Sequence, residues 1–324
     1  MSDRIHLSVA AARVLAERAL AGLGYNAEEA GIIADHVLDA ALCGYEYSGL
    51  PKILNIPEHP HFRQPRRAMA LVRESAVSAL YDGGNNVGML VLHHAARAAI
   101  AKTAAHGFAV LGITNSWMSG RSAYYVEMIA RADLVAIHTA AASPAVAPPG
   151  GLRPALGTNP IAFAMPSAAE PVVFDMGTSA FMMTELALRE RMGRLLPEGV
   201  AIDPAGQPTR DPAAARQGAV LPFGGYKGFG LALVVAALGA LAGPEAGDDG
   251  YLFIVFKPDL LLPLEQYKRE VGELVMRIKR TPRLPGVAEI RVPGERSRRS
   301  REQLSGAGIE IDRLVYDRLR ALCA

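Results

Sequence analysis

Apolar and polar positions in the first sixty residues follow the spacing of two amphipathic helices. Ser8 stands where a helix N-cap is expected, and Gly24 stands where that helix should stop. Asn26 and Glu29 form a capping-box pattern, which predicts a second helix that ends at Gly44. After a proline-rich stretch, the pattern indicates a short strand at 69–72. We therefore expect a helical N-terminal part.

From residue 83 onward, helical and strand-like patterns alternate. The predicted helices cover 87–106, 123–131, 178–192, a glycine-rich run starting at 227, 264–279 and a last segment from 311. The predicted strands cover 108–114, 134–140, 161–165, 172–175 and 251–256. This order predicts an α/β protein with a mixed sheet.

Composition and charge narrow the classes of function. Hydrophobic residues make up 50% of the chain and charged residues 20%, and the net charge is +2, which gives no reason to expect nucleic acid or a membrane surface as partner. The two cysteines, Cys43 and Cys323, predict neither a disulfide framework nor a zinc site, and we expect no metal. The N-terminus lacks an apolar signal-peptide core, and the most apolar run, 228–243, is short for a membrane span. We expect a cytoplasmic protein.

The common phosphate-binding motifs are missing from the sequence. No G-x-G-x-x-G follows a strand and opens a helix, and no G-x-x-x-x-G-K-[ST] occurs. Gly228 and Gly230 lie inside a helix-like run instead. Taken alone, the residues predict a soluble α/β enzyme with a small-molecule substrate, because glycine-rich loops at strand ends favour small-ligand sites.

Nine short stretches, each common by itself, occur in one order along the chain. They are Asp82–Gly88, Thr114–Ser116, Pro148–Gly151, Leu156–Pro160, Phe174–Ser179, Leu196–Gly199, Pro208–Pro212, Leu221–Gly228 and Val292–Arg296. In this order they resemble the type-2 malate/L-lactate dehydrogenase family, which includes ureidoglycolate and sulfolactate dehydrogenases and Δ1-piperideine-2-carboxylate reductases. The resemblance covers nearly the whole chain.

The resemblance implies a fold and an assembly. It implies a nicotinamide-binding α/β domain that is not of the Rossmann type, at residues 67–294, and a helical domain formed by 1–66 together with 295–324. It also implies NADPH or NADH as cofactor and a homodimer with the active site near the subunit interface. The missing G-x-G-x-x-G is then expected.

The loops Asp175–Ser179 and Gly225–Gly228 and the basic turn at Arg296 match positions that contact the cofactor in the family. Small residues in such loops let backbone N–H groups approach phosphate, and a cation offsets its charge. The matching residues are Met118, Ser119, Gly120, Arg121, Ser122, Asp175, Met176, Gly177, Lys227 and Arg296.

The resemblance places Thr158 and Met183 on the substrate side. It leaves the choice between NADPH and NADH open. A basic cluster matches either a contact to the 2′-phosphate of NADPH or a solvated helix start, and we favour NADPH slightly. The cluster consists of Arg296, Arg298, Arg299 and Arg301.

Three positions that carry histidine in the family carry other residues here. In place of the family motif G-x-x-S-H-G, Tyr47 replaces the serine and Ser48 the histidine. Met118 replaces the histidine that follows N-S-N, and Tyr226 replaces the one before the lysine of G-G-H-K-G. The basic residue four positions after the first histidine remains, as Lys52.

The eight histidines of the chain lie at or before position 138, and none occupies a matched motif position. We interpret them as structural. His59 and His61 flank Pro60 in a loop, and the alternative that one of them bends into the site stays open. The sequence therefore predicts a site without imidazole.

This loss changes the chemistry that the site favours. Ketone reduction leaves an alkoxide that needs an acid, and hydroxy-acid oxidation needs a base, which Ser48 and Met118 cannot supply. A cyclic imine bound as the protonated iminium becomes a neutral amine when hydride adds. We therefore predict an NAD(P)H-dependent reductase of a cyclic imine carboxylate or a related 2-oxo acid, with Lys52 holding the carboxylate.

Several roles stay open at this point. Tyr47, and after it Tyr226, is the candidate substitute proton donor, because a nearby lysine can lower the pKa of a phenol; Tyr47 equally well fills the volume of the lost pair. Glu185 lies near the family's acidic partner of histidine, and no histidine remains to be oriented. The alternative function is a diverged member with lost or changed redox activity, either a non-redox enzyme or a nucleotide-binding protein on the same scaffold.

Overall fold

The computed structural model of the chain describes residues 3–243 and 249–323. Its strands are β1 (Arg4–Leu7), β2 (Ala70–Glu74), β3 (Ser78–Val87), β4 (Phe108–Trp117), β5 (Val135–Ala141), β6 (Ile161–Met165), β7 (Val172–Met176), β8 (Ala201–Ile202), β9 (Ala219–Val220), β10 (Gly250–Phe256) and β11 (Ile309–Asp312). Its α-helices are α1 (Val9–Gly22), α2 (Ala27–Leu42), α3 (Gly88–His106), α4 (Ser122–Ala130), α5 (Met183–Arg191), α6 (Pro212–Gln217), α7 (Tyr226–Gly239), α8 (Leu264–Lys279), α9 (Glu295–Ala307) and α10 (Arg313–Leu322).

A seven-stranded mixed sheet forms the centre of the molecule, with strand order β2-β3-β4-β10-β5-β6-β7. Only β3 and β4 pair in parallel, and every other neighbouring pair in this sheet is antiparallel. The carboxyl ends of β4, β5 and β7 therefore meet at one edge of the sheet. The predicted α/β fold with a mixed, non-Rossmann sheet is confirmed.

The two ends of the chain come together in the helical part. β1 pairs with β11, with Leu7 opposite Ile309, and α1 packs against α2 and α10. These elements share one apolar core, whereas a second core lies under the large sheet against α3 and α4. The division into 1–66 joined by 295–324 and 67–294 remains a proposal, which the two cores favour.

The helix caps read from the sequence are present. Ser8 accepts a hydrogen bond from the backbone of Ala11, and Asn26 and Glu29 form both bonds of the capping box. Gly107 ends α3 in the left-handed region, with φ of 82°. Within the described residues, no helix combines the length and the apolarity needed to cross a bilayer.

Two predicted helices were wrong in part, and one strand of the large sheet was missed. The pattern missed β3, because its second half, rich in glycine and asparagine, does not alternate. The predicted helix at 178–192 begins only at Met183, because the backbone of Thr178 and Ala180 bonds to neighbouring segments. The predicted helix from 311 begins as β11, since pairing with β1 at the other end of the chain decides its conformation.

Candidate active site

Most of the predicted site residues line one cavity of about 420 Å³. It lies where the carboxyl ends of β4, β5 and β7 meet the short helical segments that follow α2. Such a strand-end edge is where α/β proteins bind small ligands. The predicted residues on its wall are Tyr47, Ser48, Lys52, Met118, Ser119, Gly120, Arg121, Ser122, Thr158, Asp175, Met176, Gly177 and Met183.

Lys52 is the most unusual group of this cavity. It lies in the 3-10 helix Leu50–Asn55 and is only 4% exposed. Among the described residues, none forms a hydrogen bond or an ion pair with its ammonium group. Burial lowers the pKa of Lys52 to about 8. A buried cation without a partner that lines a cavity is suited to bind an anionic group of a ligand.

Tyr47 and Ser48 line the same cavity as Lys52. Burial, and after it the charge of Glu185, raises the pKa of Tyr47 to about 12. The expectation that a nearby lysine lowers the pKa of Tyr47 is wrong. Burial raises this pKa, and Lys52 is not among the causes of the shift. The hydroxyl of Tyr47 therefore stays protonated at neutral pH. Glu185 itself pairs with Arg189 one turn along α5.

The turn between β4 and α4 also lines this cavity. Gly120 has φ of 82°, and a Cβ atom there would lie 2.2 Å from Nε2 of His36, so only glycine fits. His36 is fully buried, and its Nε2 accepts from the backbone of Arg121 at 2.8 Å. Burial, and after it the charge of Lys52, lowers the pKa of His36, so this ring is a neutral support of the turn.

Arg121 and Asp175 fix this turn to the rest of the molecule. The guanidinium of Arg121 pairs with Asp39 at 2.6 Å. The carboxylate of Asp175 accepts from the backbone of Ala123 at 2.8 Å, at the start of α4. Burial raises the pKa of Asp175. Asp175 thus positions the turn.

A second, larger cavity of about 1290 Å³ adjoins the first. Tyr45, Arg121 and Asp175 line both cavities, so the two cavities are neighbours. The wall of the larger one combines β7, α8 and the start of α9. Three arginines on it have no ion pair with any described carboxylate: Arg269, Arg277 and Arg280.

The basic cluster at the start of α9 is largely neutralised. Arg299 forms two hydrogen bonds with Glu289, and Arg301 forms two with Glu127. Arg298 pairs with Glu302 one turn along the helix. Arg296 lies over the ring of Tyr45, with 4.8 Å between guanidinium carbon and ring centroid.

Tyr226 and Lys227 lie outside both cavities. They begin α7, and Tyr226 is 75% exposed. Gly228 packs the start of α7 tightly against the loop after β7, since a Cβ there would lie 2.6 Å from the carbonyl oxygen of Thr178. Within one chain the two predicted side chains do not reach the cavity, so a role in the site would require a second copy.

Three titratable residues of the first cavity were not predicted as site residues. Tyr45 lies within the Gly44–Gly49 stretch, whereas Asp249 belongs to no motif and no pattern in the sequence identifies it. Asp249 accepts from the hydroxyl of Tyr251 at 2.8 Å, and burial raises its pKa. The third is His59, so the expectation of a cavity without imidazole is wrong. Stacking on Trp117 holds its loop against the site.

The residues present fit a nicotinamide nucleotide. The hydroxyl of Ser122 is buried on the cavity wall and has no hydrogen-bond partner, as expected of a group that a ligand satisfies. Small residues on the same wall, Ser119, Gly120 and Gly177, leave the backbone accessible. The two neighbouring cavities offer space for an elongated ligand.

Comparison with known proteins agrees with this geometry. The sequence profile described as malate/L-lactate dehydrogenase matches residues 7–320. The L-sulfolactate dehydrogenase of Methanocaldococcus jannaschii is 35% identical, over 93% of this chain and 91% of that protein. The Δ1-pyrroline-2-carboxylate reductase of Ancylobacter novellus is 30% identical, over 99% of this chain and 98% of that protein. The solved structure of a dehydrogenase from Sinorhizobium meliloti has a TM-score of 0.92 and 28% identity, and covers 100% of this chain and 99% of that one.

The fold, the cavity at the strand ends and these relatives define an enzyme of the oxidoreductase class. Within that class, the chain belongs to the malate/L-lactate dehydrogenase family, as the motif order indicated. The family implies a nicotinamide cofactor.

Proposed function

We propose that this protein uses NADPH, or less readily NADH, to reduce a cyclic imine carboxylate or a related 2-oxo acid. The proposal rests on the surroundings of Lys52. This buried cation lines the cavity and has no anionic partner among the described residues. A substrate carboxylate would supply that partner. Both proposed substrate classes carry such a group beside the carbon that accepts hydride.

Cyclic imines are favoured by what replaces the family histidines. Ser48 and Met118 cannot act as acids, and the hydroxyl of Tyr47 holds its proton firmly. A substrate bound as iminium needs no acid, since hydride addition leaves a neutral amine. Burial raises the pKa of the carboxyl groups of Asp175 and Asp249, so a cation in this cavity would stabilise their charged forms. The pyrroline-carboxylate reductase among the relatives is in keeping with this substrate class.

The residues of the cavity divide into two groups under this proposal. When bound, the reduced nicotinamide would supply hydride. The turn Met118–Ser122 and the segment Asp175–Gly177 would hold the cofactor, with the unpaired hydroxyl of Ser122 as one donor. Lys52 would hold the substrate carboxylate, and Thr158 and Met183 would close the wall around the ring.

The larger cavity supports a preference for NADPH over NADH. Arg299 and Arg301 are occupied by carboxylates and are poor candidates for a 2′-phosphate. Arg269, Arg277 and Arg280 line the larger cavity without such partners, so this wall would favour the additional phosphate of NADPH.

A homodimer is part of the same proposal. α7 exposes an apolar face that includes Leu233 and Val234, at 55% and 51% exposure, and Leu241 follows at 67%. Contiguous exposed apolar side chains are typical of interfaces. Tyr226 and Lys227 begin this helix, so pairing through α7 would bring them to the subunit boundary. Light scattering on the purified protein measures the oligomeric state.

The test combines cofactor binding with turnover. The purified protein is titrated with NADPH and NADH while nucleotide fluorescence is followed, and loss of reduced-nicotinamide absorbance is then measured with Δ1-pyrroline-2-carboxylate, Δ1-piperideine-2-carboxylate and a set of 2-oxo acids. We expect turnover with a cyclic imine. Lys52→Met should lower kcat/KM by about 100-fold or more, because it removes the charge that pairs with the carboxylate.

Two other outcomes identify the alternative. Tight nucleotide binding with no turnover of any imine or 2-oxo acid would point to a nucleotide-binding protein on this scaffold. Absence of binding at millimolar NADPH and NADH would point to a non-redox function. Either result contradicts the proposal.

A further inference from the structure

His59 lines the candidate active site, although no family motif contains it. Its ring lines the same cavity as Ser48 and Lys52. It stacks on the indole of Trp117, with ring centroids 4.5 Å apart and an interplanar angle of 7°. This contact fixes the ring in one orientation, half-buried against the end of β4.

The hydrogen bonds of His59 identify which ring nitrogen carries the proton. The backbone N–H of His61 donates to Nδ1 of His59 at 3.3 Å, so Nδ1 is the acceptor. The neutral ring then bears its proton on Nε2, which has no hydrogen-bond partner among the described residues. Burial, and after it the charge of His61, lowers the pKa of His59 to about 4, so the ring is neutral near pH 7. His59 is therefore a donor and not an imidazolium acid.

We propose that the Nε2–H group of His59 donates a hydrogen bond to the oxygen of a 2-oxo acid substrate, so that the site reduces 2-oxo acids as well as cyclic imines. This inference rests on the proposed function, since it requires that hydride reach a substrate in this cavity. The imidazole of His59, in the loop before β2, would then interact with the substrate at a site where the motif histidines are replaced.

The two substrate classes differ in the charge that they develop. When hydride bonds to a carbonyl carbon, the π electron pair of C=O moves to the oxygen, and a proton from water completes the alcohol; the nicotinamide is oxidised and the carbonyl is reduced by two electrons. A fixed N–H donor stabilises the negative oxygen, and removing one such donor costs about 100- to 1000-fold in rate. An iminium loses its charge in the same step, so a donor adds little. His59 should therefore matter for oxygen substrates only.

Two substitutions separate hydrogen bonding from packing. His59→Phe keeps an aromatic ring to stack on Trp117 but has no donor. His59→Asn keeps an acceptor for the backbone of His61 and offers an N–H group to the cavity. With NADPH, we expect His59→Phe to lower kcat/KM for pyruvate, oxaloacetate or 3-sulfopyruvate by about 100-fold, and for Δ1-pyrroline-2-carboxylate by less than about fivefold. His59→Asn should recover about tenfold of the loss.

Binding of oxamate provides a readout that does not depend on turnover. Oxamate has a carboxylate and a carbonyl oxygen, and we expect His59→Phe to weaken its binding to the cofactor complex about tenfold while pyrrole-2-carboxylate binds as before. Unchanged oxamate binding, or an equal loss with both substrate classes, would show a structural role for His59 and overturn the inference. A wild-type enzyme that reduces imines but no 2-oxo acid overturns this inference alone. An enzyme that reduces neither removes the proposed function too.

Discussion

Lys52 and Arg121 are two buried cations that line one cavity, and they differ in the groups that surround their charge. Arg121 is 8% exposed and pairs with Asp39 at 2.6 Å. Lys52 is 4% exposed and has no anionic partner in the described part of the chain. The charge of Arg121 is balanced within the protein by Asp39. The charge of Lys52 would be balanced only by an anionic ligand.

This difference separates stability from function within one site. Removal of one member of a buried ion pair strongly destabilises the fold, because the charge of the remaining partner is buried without compensation. An unpaired buried cation destabilises the protein without ligand, because the charge has lost its hydration. Binding of an anion offsets this cost. Arg121 should therefore stabilise the fold and Lys52 should destabilise it, although both belong to the same cavity.

Removing the charge of Arg121 is the largest expected effect. Arg121→Met leaves Asp39 in a buried setting with only Arg301, at 3.0 Å, as cation. We expect the free energy of unfolding to fall by about 3–5 kcal/mol, measured by urea denaturation of the protein without cofactor.

The control for this variant is an exposed pair of the same type. Arg298 pairs with Glu302 along α9 and is largely solvated, so Arg298→Met should change stability by less than about 0.5 kcal/mol. Equal effects of the two substitutions would contradict the distinction between buried and exposed pairs in this site.

Replacing Lys52 should have the opposite sign. The pKa of Lys52 is about 8 in the folded chain and 10.5 as the ordinary lysine value. Each pKa unit corresponds to about 1.4 kcal/mol, so holding the charged form inside the fold costs about 3 kcal/mol near neutral pH. We expect Lys52→Met to raise the free energy of unfolding at pH 7 by up to that amount, while it lowers activity.

The pH dependence of this effect follows from the direction of the shift. Below pH 8 the lysine is charged in both states, and the cost is present in full. Between pH 8 and 10.5 the unfolded chain binds more protons than the folded one, so the stability of the wild type rises toward that of Lys52→Met. Denaturation of both proteins across this range should show that the difference between their free energies of unfolding becomes smaller. A constant difference would contradict the burial of Lys52.

Sequence patterns were enough for the parts of the fold that depend on neighbours along the chain. The caps of α1 and α2 and the range of α8 follow from local spacing, and the motif positions from Met118 to Ser122 do line the cavity. Contacts between distant segments could not be derived in this way. The pairing of β1 with β11 joins the two ends of the chain, and no local pattern marks it.

The same limit explains what was missed in the site. That Lys52 is basic is visible in the sequence, but its lack of a partner appears only when the surrounding elements are in place. His59 and Trp117 are far apart along the chain, and their stacking decides that the loop closes on the cavity. The pKa of Tyr47 depends in the same way on burial, which motif spacing does not report.

The pH dependence of ligand binding distinguishes Lys52 from Arg121. Pyrrole-2-carboxylate is a planar analogue of a cyclic imine carboxylate, and only the charged form of Lys52 attracts its carboxylate. Above pH 8 the empty site loses this charge, so affinity for the NADP⁺ complex should fall by up to about tenfold per pH unit, or about 1.4 kcal/mol. Pyrrole-2-carboxamide, which has no charge, should bind independently of pH, as should the carboxylate to Lys52→Met. Calorimetry across this range therefore assigns the pH dependence to one side chain, because Arg121 keeps its charge throughout and cannot produce it; a wild-type affinity that stays constant from pH 7 to 10 would mean that Lys52 does not hold the carboxylate.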